Sequence, residues 1–266
     1  MRVEPALLIA LEIAGAPCLL ACHDESFAAF LAARYAAFPA RGPVALSIDI
    51  TLTSPPSAGV AGAWSGPYAR VTADAGAITV EGLGFSARFD ERAGRGAISQ
   101  PPDAEPLETL LTAVYASRLL AGGGCMLHAA AIVGRAGAMV FFGPSGSGKT
   151  TVTELVGQDV ITDEITAIRP EAGAYVVSSV PWRGRPRTAP LAGLFRLKQA
   201  ATTALRPLSP LETVRFLLPS VFLCRRDGFE IARFFETAAA LARSVPAYDL
   251  AFTRDRTFWA ALPGAA

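Results

Sequence analysis

The chain has 266 residues, 52% of them hydrophobic, and a formal net charge of +1. That length can bury a substantial core in one large domain or two smaller ones, while the balanced charge offers no field for nucleic acid or a membrane surface. Much of the apolar content is Ala, and no run of about 18 uncharged apolar residues occurs, so no transmembrane helix is expected.

Residues 6–22 read ALLIALEIAGAPCLLAC and superficially resemble a secretory leader. Glu4 and Glu12 argue against that, because the apolar part of a leader is uncharged and follows net positive charge. Two strands joined across residues 14–17 explain the segment better. Asp24 is placed to cap a helix with Phe27, Phe30, Leu31, Tyr35 and Phe38 as its apolar stripe. Next, Val44, Leu46, Ile48, Ile50 and Leu52 alternate with smaller or polar residues, the period of a half-buried strand, until Pro55, Pro56 and Ser57 break it. Further short strands are predicted over 68–72, 77–80 and 85–89, separated by Gly and Asp turns as in an antiparallel sheet. Leu107, Leu110, Leu111, Val114 and Leu119 then recur at helical spacing, and Gly122, Gly123 and Gly124 end that helix before His128. With a boundary near Pro102, residues 1–102 read as an N-terminal α+β module, mixed and mainly antiparallel in its sheet, and 103–266 as a second domain. Cys18, Cys22, Cys125 and Cys224 lack zinc-site spacing, so a reduced, structural role in the cytoplasm is expected.

The strongest motif is residues 143–150, GPSGSGKT, two glycines four residues apart followed by Lys and a hydroxyl residue. It matches the phosphate-binding loop, or Walker A, pattern. In such a loop, here the binding residues Gly143, Pro144, Ser145, Gly146, Ser147, Gly148, Lys149, Thr150 and Thr151, successive backbone amides from about Ser145 to Thr150 wrap a phosphate. The helix that follows turns its positive end to the same anion. Lys149 can reach the outer phosphates, and Thr150 offers a hydroxyl to Mg²⁺. The context agrees, since Ala138, Met139, Val140, Phe141 and Phe142 form a buried-strand run before the loop. A second strand, Val160, Ile161 and Thr162, follows a short helix and ends in Asp163 and Glu164, where ligands of such crossover units collect. An ordinary charged hairpin remains an alternative for that pair, because Ile165, Ala167 and Ile168 resume an apolar segment.

The stretch 127–168, LHAAAIVGRAGAMVFFGPSGSGKTTVTELVGQDVITDEITAI, resembles the catalytic core of HPr kinase/phosphorylase, and more closely the HPr-kinase-related proteins that share it. In that family a His precedes two strands and a phosphate loop, and a short helix leads to a strand ending in two acids. His128, Lys149, Thr150, Asp163 and Glu164 fall on those positions. The resemblance implies an α/β core, α+β overall with the N-terminal module, of the type shared with phosphoenolpyruvate carboxykinase. It implies ATP and Mg²⁺ as cofactors and phosphoryl transfer to a hydroxyl on a protein or peptide, including a biosynthetic precursor peptide. Asp163 is the candidate base, and Glu164 with Thr150 the candidate metal ligands, with the two acids able to exchange roles. His128 would lie beside the transferring phosphate. The departures are Ala129 where Gly is usual, Thr150 with Thr151 where Ser and Glu are usual, and Glu164 where a second Asp is usual. The family's later Arg-Gly-Leu-Gly signature is replaced by VPWRGRP at 180–186, so HPr itself is not expected as the acceptor.

Arg183, Arg185 and Arg187 follow a strand predicted over 175–180. Were it parallel to the strand entering the loop, Arg183 or a neighbour would overhang the γ-phosphate. Arg225 and Arg226, between two predicted helices, are weaker candidates. Phe234, Phe235, Ala238 and Leu241 read as a packing stripe, 248–252 as an edge strand and His23 as surface. An ATPase, a non-catalytic nucleotide module and a small-molecule kinase stay as alternatives, and a homo-oligomer is left open.

Overall fold

The computed structural model describes residues 6–54, 68–74, 76–225 and 227–265. Glu4, Pro55, Pro56, Ser57 and Arg226 lie outside them. The architecture is mixed α/β with two mixed sheets, and the chain divides into two compact units, Met1–Ser117 with Leu223–Arg225 and Arg118–Phe222 with Arg226–Ala266.

The first unit opens with the hairpin β1 (Leu7–Ile13) and β2 (Ala16–Cys22). Ala14 and Gly15 form its turn at φ 49° and 78°, the left-handed pair whose twist suits a two-residue connection. Helix α1 (Glu25–Tyr35) starts on Asp24, whose carboxylate accepts from the Phe27 amide at 2.8 Å. Phe27, Leu31 and Tyr35 are buried. Phe30 is 46% exposed, because the core takes only one row of the helix at four-residue spacing; it stacks on Phe27 from outside. The helix connects β2 to β3 (Leu46–Leu52), and these two strands pair in parallel, as a crossover connection allows. Beyond β3 the sheet runs to β7 (Arg95–Gln100), β6 (Phe85–Asp90), β5 (Ala77–Gly82) and β4 (Ala69–Asp74). Pairing is parallel at β2–β3 and β3–β7 and antiparallel elsewhere. Glu108 of α2 (Ala104–Ala121) is buried yet satisfied, accepting from Arg34 Nε at 2.6 Å and the Tyr35 hydroxyl at 3.1 Å.

The second unit is built on β8 (Cys125–Gly134) and β9 (Gly137–Phe142), an antiparallel pair. Ala138 to Phe142 of β9 are wholly buried, each large side chain stabilising the core by about 1.5–3 kcal/mol. Helix α3 (Lys149–Val156) follows, and its Val152 and Val156 join Ala130, Ile132, Met139 and Phe141 in one apolar cluster. β10 (Val160–Thr162) and β11 (Ile165–Glu171) both pair with β8, and β12 (Ala174–Ser178) and β13 (Thr188–Gln199) continue the sheet. β13 also pairs with β9, so the ladders through β8, β11, β12, β13 and β9 return to their start. β15 (Ala247–Phe252) pairs in parallel with β13 and antiparallel with β14 (Ala204–Pro207). The segment expected as an edge strand is therefore flanked on both sides. Helices α4 (Pro210–Leu217), α5 (Gly228–Ser244) and α6 (Thr257–Ala260) complete the unit, with Phe234, Ala238 and Leu241 of α5 buried and Phe235 44% exposed.

Among the described residues no helix is long and apolar enough to cross a membrane. All four cysteines are free and buried, and burial pushes the Cys18 and Cys125 thiols up to about 12. That suits packing and not thiolate chemistry.

Candidate functional site

Three parallel strands, β9, β13 and β15, run towards the same edge: β9 stops at Phe142, opposite Arg196, and β13 and β15 run on to Gln199 opposite Phe252. The segment 143–148 leaves β9 at that end and enters α3, so the motif sits at the carboxyl edge where open α/β sheets collect ligands.

Among the described residues the loop leaves the Ser147 hydroxyl without a partner. Helix α3 begins on Gly148 at φ 107°, with no side-chain cap. An Ala there would place Cβ 2.5 Å from the buried Phe252 ring, so both space and backbone require glycine. The first-turn amides of a helix have no intrahelical acceptor. Ser147 is buried, and its hydroxyl has no hydrogen-bond partner among the described residues, a defect that costs about 1–3 kcal/mol unless something else fills it. Lys149 is also buried, folded back so that Nζ donates to the carbonyls of Gly143 at 3.0 Å and Pro144 at 3.3 Å. Burial lowers its pKa, with Glu164 opposing. At Gly146, φ 75°, a Cβ would meet open space.

The acidic pair lies beside β8. Thr162 faces Ala131 and Ile165 faces His128 in one unbroken register, so Asp163 and Glu164 are a bend within a single strand path and not a hairpin. The Glu164 carbonyl accepts from the Ala129 amide at 3.0 Å. The Glu164 carboxylate meets Arg183 Nε at 3.1 Å, whereas Asp163 is exposed with no ion pair among the described residues. His128 is the fourth residue of β8, not at its start. Alternation puts it on the face of Ala130 and Ile132, against which α3 packs. Its pKa is lowered chiefly by burial and then by the Lys149 charge, with Glu164 opposing. His128, Lys149 and Glu164 thus share one electrostatic environment.

The three arginines separate. β12 runs antiparallel to β13, and β13 is parallel to β9, so the strand before them opposes the loop strand, contrary to the arrangement that would place them over a γ-phosphate. Arg183 nevertheless reaches the acidic pair, because its segment lies along β10: Thr162 Oγ1 donates to the Arg183 carbonyl, and the Arg185 amide donates to Ile161 O at 2.9 Å. Arg187 pairs at 2.6 Å with Asp159, at the other end of β10. Arg225 is paired with Glu91 in the first unit.

Gln199 and Arg254 belong to this site and were not expected from the sequence. Gln199 Nε2 donates to Gly146 O at 2.9 Å, and Arg254 donates to Gln199 Oε1 from Nε at 3.2 Å and Nη2 at 2.9 Å.

Among the described residues no three His, Cys, Asp or Glu side chains gather as a ready-made metal cage. Two adjacent carboxylates and a helix-start hydroxyl are instead the donor set Mg²⁺ takes when phosphate oxygens and water complete its shell. No protein-family model matches the chain, and no curated protein matches it.

Proposed function

We propose that the protein is an ATP-dependent kinase of the HPr-kinase-like, P-loop type, transferring the γ-phosphate to a hydroxyl on a protein or peptide. The observation that supports this best is the state of the loop. A buried ammonium turned onto two carbonyls, a buried hydroxyl with no partner and an uncapped helix start meet in one turn. Each is a group that a polyphosphate would satisfy.

In this reading the loop amides and Lys149 bind the phosphates, and Ser147 supplies its unpartnered hydroxyl. Asp163, exposed and without an ion pair among the described residues, takes the acceptor proton. The acceptor oxygen then forms its bond to the γ-phosphorus as the bond to the bridging oxygen breaks and ADP leaves. Glu164 and Thr150 hold Mg²⁺, whose charge offsets that of the phosphates. Arg183 steadies Glu164, and His128 offers one hydrogen bond at the phosphoryl position. Such transfer depends on positioning and charge, so this short set suffices.

The test is incubation of the purified chain with γ-labelled ATP, Mg²⁺ and a library of Ser- and Thr-containing peptides, with HPr as a further acceptor. Label on a peptide hydroxyl supports the reading. Phosphate release without transfer would indicate an ATPase, and binding alone a nucleotide module. Label on HPr would overturn the expectation drawn from VPWRGRP.

A further inference from the structure

We infer that the second unit carries a separate binding site for a small anion bearing a planar ring, at the end of β10 remote from the acidic pair. A cavity of about 300 Å³ lies there, lined by Arg135, Asp159, Arg187, Arg256 and Trp259 among others. That volume is at the lower end of small-molecule pockets. β10 rises about 3.3 Å per residue, so its three residues put this cavity at least ~10 Å from Asp163.

The lining chemistry selects the ligand class. Three arginines, Arg135, Arg187 and Arg256, line the cavity against one carboxylate, and Asp159 is already engaged by Arg187 at 2.6 Å. Among the described residues Arg135 and Arg256 have no ion-pair partner, although both border the same concave space. Guanidinium forks match carboxylate or phosphate oxygens and bind them through charge-assisted hydrogen bonds. The aromatic wall is equally fixed: Trp259 packs against Phe141 and Phe258 at 6.4 and 6.3 Å between centroids, and it also lines the cavity. An indole held this way stacks on a ring or a planar group without losing further side-chain freedom. Asp159 is non-glycine yet sits at φ 60°. Its carbonyl accepts from the Val133 amide at 2.8 Å, and its carboxylate holds Arg187. A merely solvated basic surface would need neither the concavity nor the anchored indole.

Calorimetric titration of the full chain with phenyl phosphate tests the site, with inorganic phosphate and benzyl alcohol as partial probes. With the loop filled by a saturating non-hydrolysable Mg-ATP analogue, one equivalent should bind, at least about tenfold more tightly than inorganic phosphate, and benzyl alcohol should not bind. Arg135 and Arg256 are both exposed, so the double variant Arg135→Ala with Arg256→Ala should keep its thermal midpoint while losing at least about tenfold in affinity. Arg256→Gln alone should show an intermediate loss. Lys149→Ala should leave phenyl phosphate affinity unchanged, which separates this cavity from the loop whether or not the loop takes ATP. Affinity that falls with Lys149→Ala, ignores the arginine changes, or is equal for inorganic phosphate overturns the proposal.

Discussion

Helices α1, α4 and α5 start on capping side chains, whereas α3 and the one-turn α6 do not. Asp24 accepts from the Phe27 amide, Ser209 and Glu212 form a reciprocal capping box, and Asp227 accepts from the Glu230 amide at 2.7 Å. Each cap contributes about 1 kcal/mol by satisfying amides internally. At α3 the cap is Gly148, the neighbouring Ser147 hydroxyl is orphaned, and Lys149 rests on carbonyls. In the proposed reading the start of α3 is left for a phosphate, which is what sets it against the capped starts of α1, α4 and α5.

The sharpest way to break this contrast is Lys149→Ala. In the proposed kinase it should abolish transfer and weaken Mg-ATP binding by roughly 10 to 100-fold, the value of a charge-assisted contact, with the fold retained. Calorimetry with Mg-ATP reads it, and unchanged affinity would sink the loop assignment. Next in size is Asp163→Asn, expected to lower the transfer rate by roughly 10² to 10⁴-fold with nucleotide binding intact. Glu164→Gln should instead raise the Mg²⁺ concentration needed for half-maximal rate, and swapped phenotypes would exchange the roles of the two acids.

Two glycine substitutions separate stability from binding. Gly148→Ala meets the Phe252 ring and a left-handed backbone, so thermal unfolding should report a loss of about 1–3 kcal/mol. Gly146→Ala meets open space but a left-handed backbone, in the loop proposed to hold the anion. It should cost about 1–2 kcal/mol in stability and proportionally more in Mg-ATP affinity. Equal effects on both properties would remove the distinction between packing and binding glycines. The capped side of the comparison is tested by Asp24→Ala, expected to lower stability by about 1 kcal/mol with no effect on nucleotide binding.

The smallest effect concerns His128. Its folded pKa lies below 6.5, so between the two values the unfolded chain holds the extra proton. The stability it contributes is complete above 6.5 and is lost as pH falls through the folded value. Thermal midpoints measured below pH 6.5 should therefore decline less steeply for His128→Gln than for the unchanged chain. A parallel decline would show that neither burial nor the Lys149 charge shifts His128.

How far the sequence carried depends on the range of the interactions. The 14–15 turn, the Asp24 cap, the alternation in β3 and the apolar run of β9 are local signals and were legible. β7, RGAISQ, holds only two apolar residues and owes its place to ladders with β3 and β6. The flanked position of β15 likewise comes from pairing across the sheet, which a six-residue pattern does not encode. Within the site, the loop and the acids formed recognisable short motifs. The Gln199–Arg254 contact joins side chains 55 positions apart and has no local signature. Choosing among Arg183, Arg185 and Arg187 required knowing which end of β10 each one met.

The closed circuit of ladders from β8 round to β9 also governs which changes this chain can absorb. In an open sheet, a residue gained in an outer strand can be taken up by sliding that strand past a single neighbour. In the circuit, β11 and β12 each have partners on both sides, so one inserted residue turns a whole strand face over and must be matched twice. The bend at Asp163 and Glu164 lies just outside that path, between β10 and β11, a short stretch whose side chains can change while strand lengths in the circuit stay fixed. Drift in chemistry is therefore cheap at the bend, and drift in length is costly everywhere along the circuit.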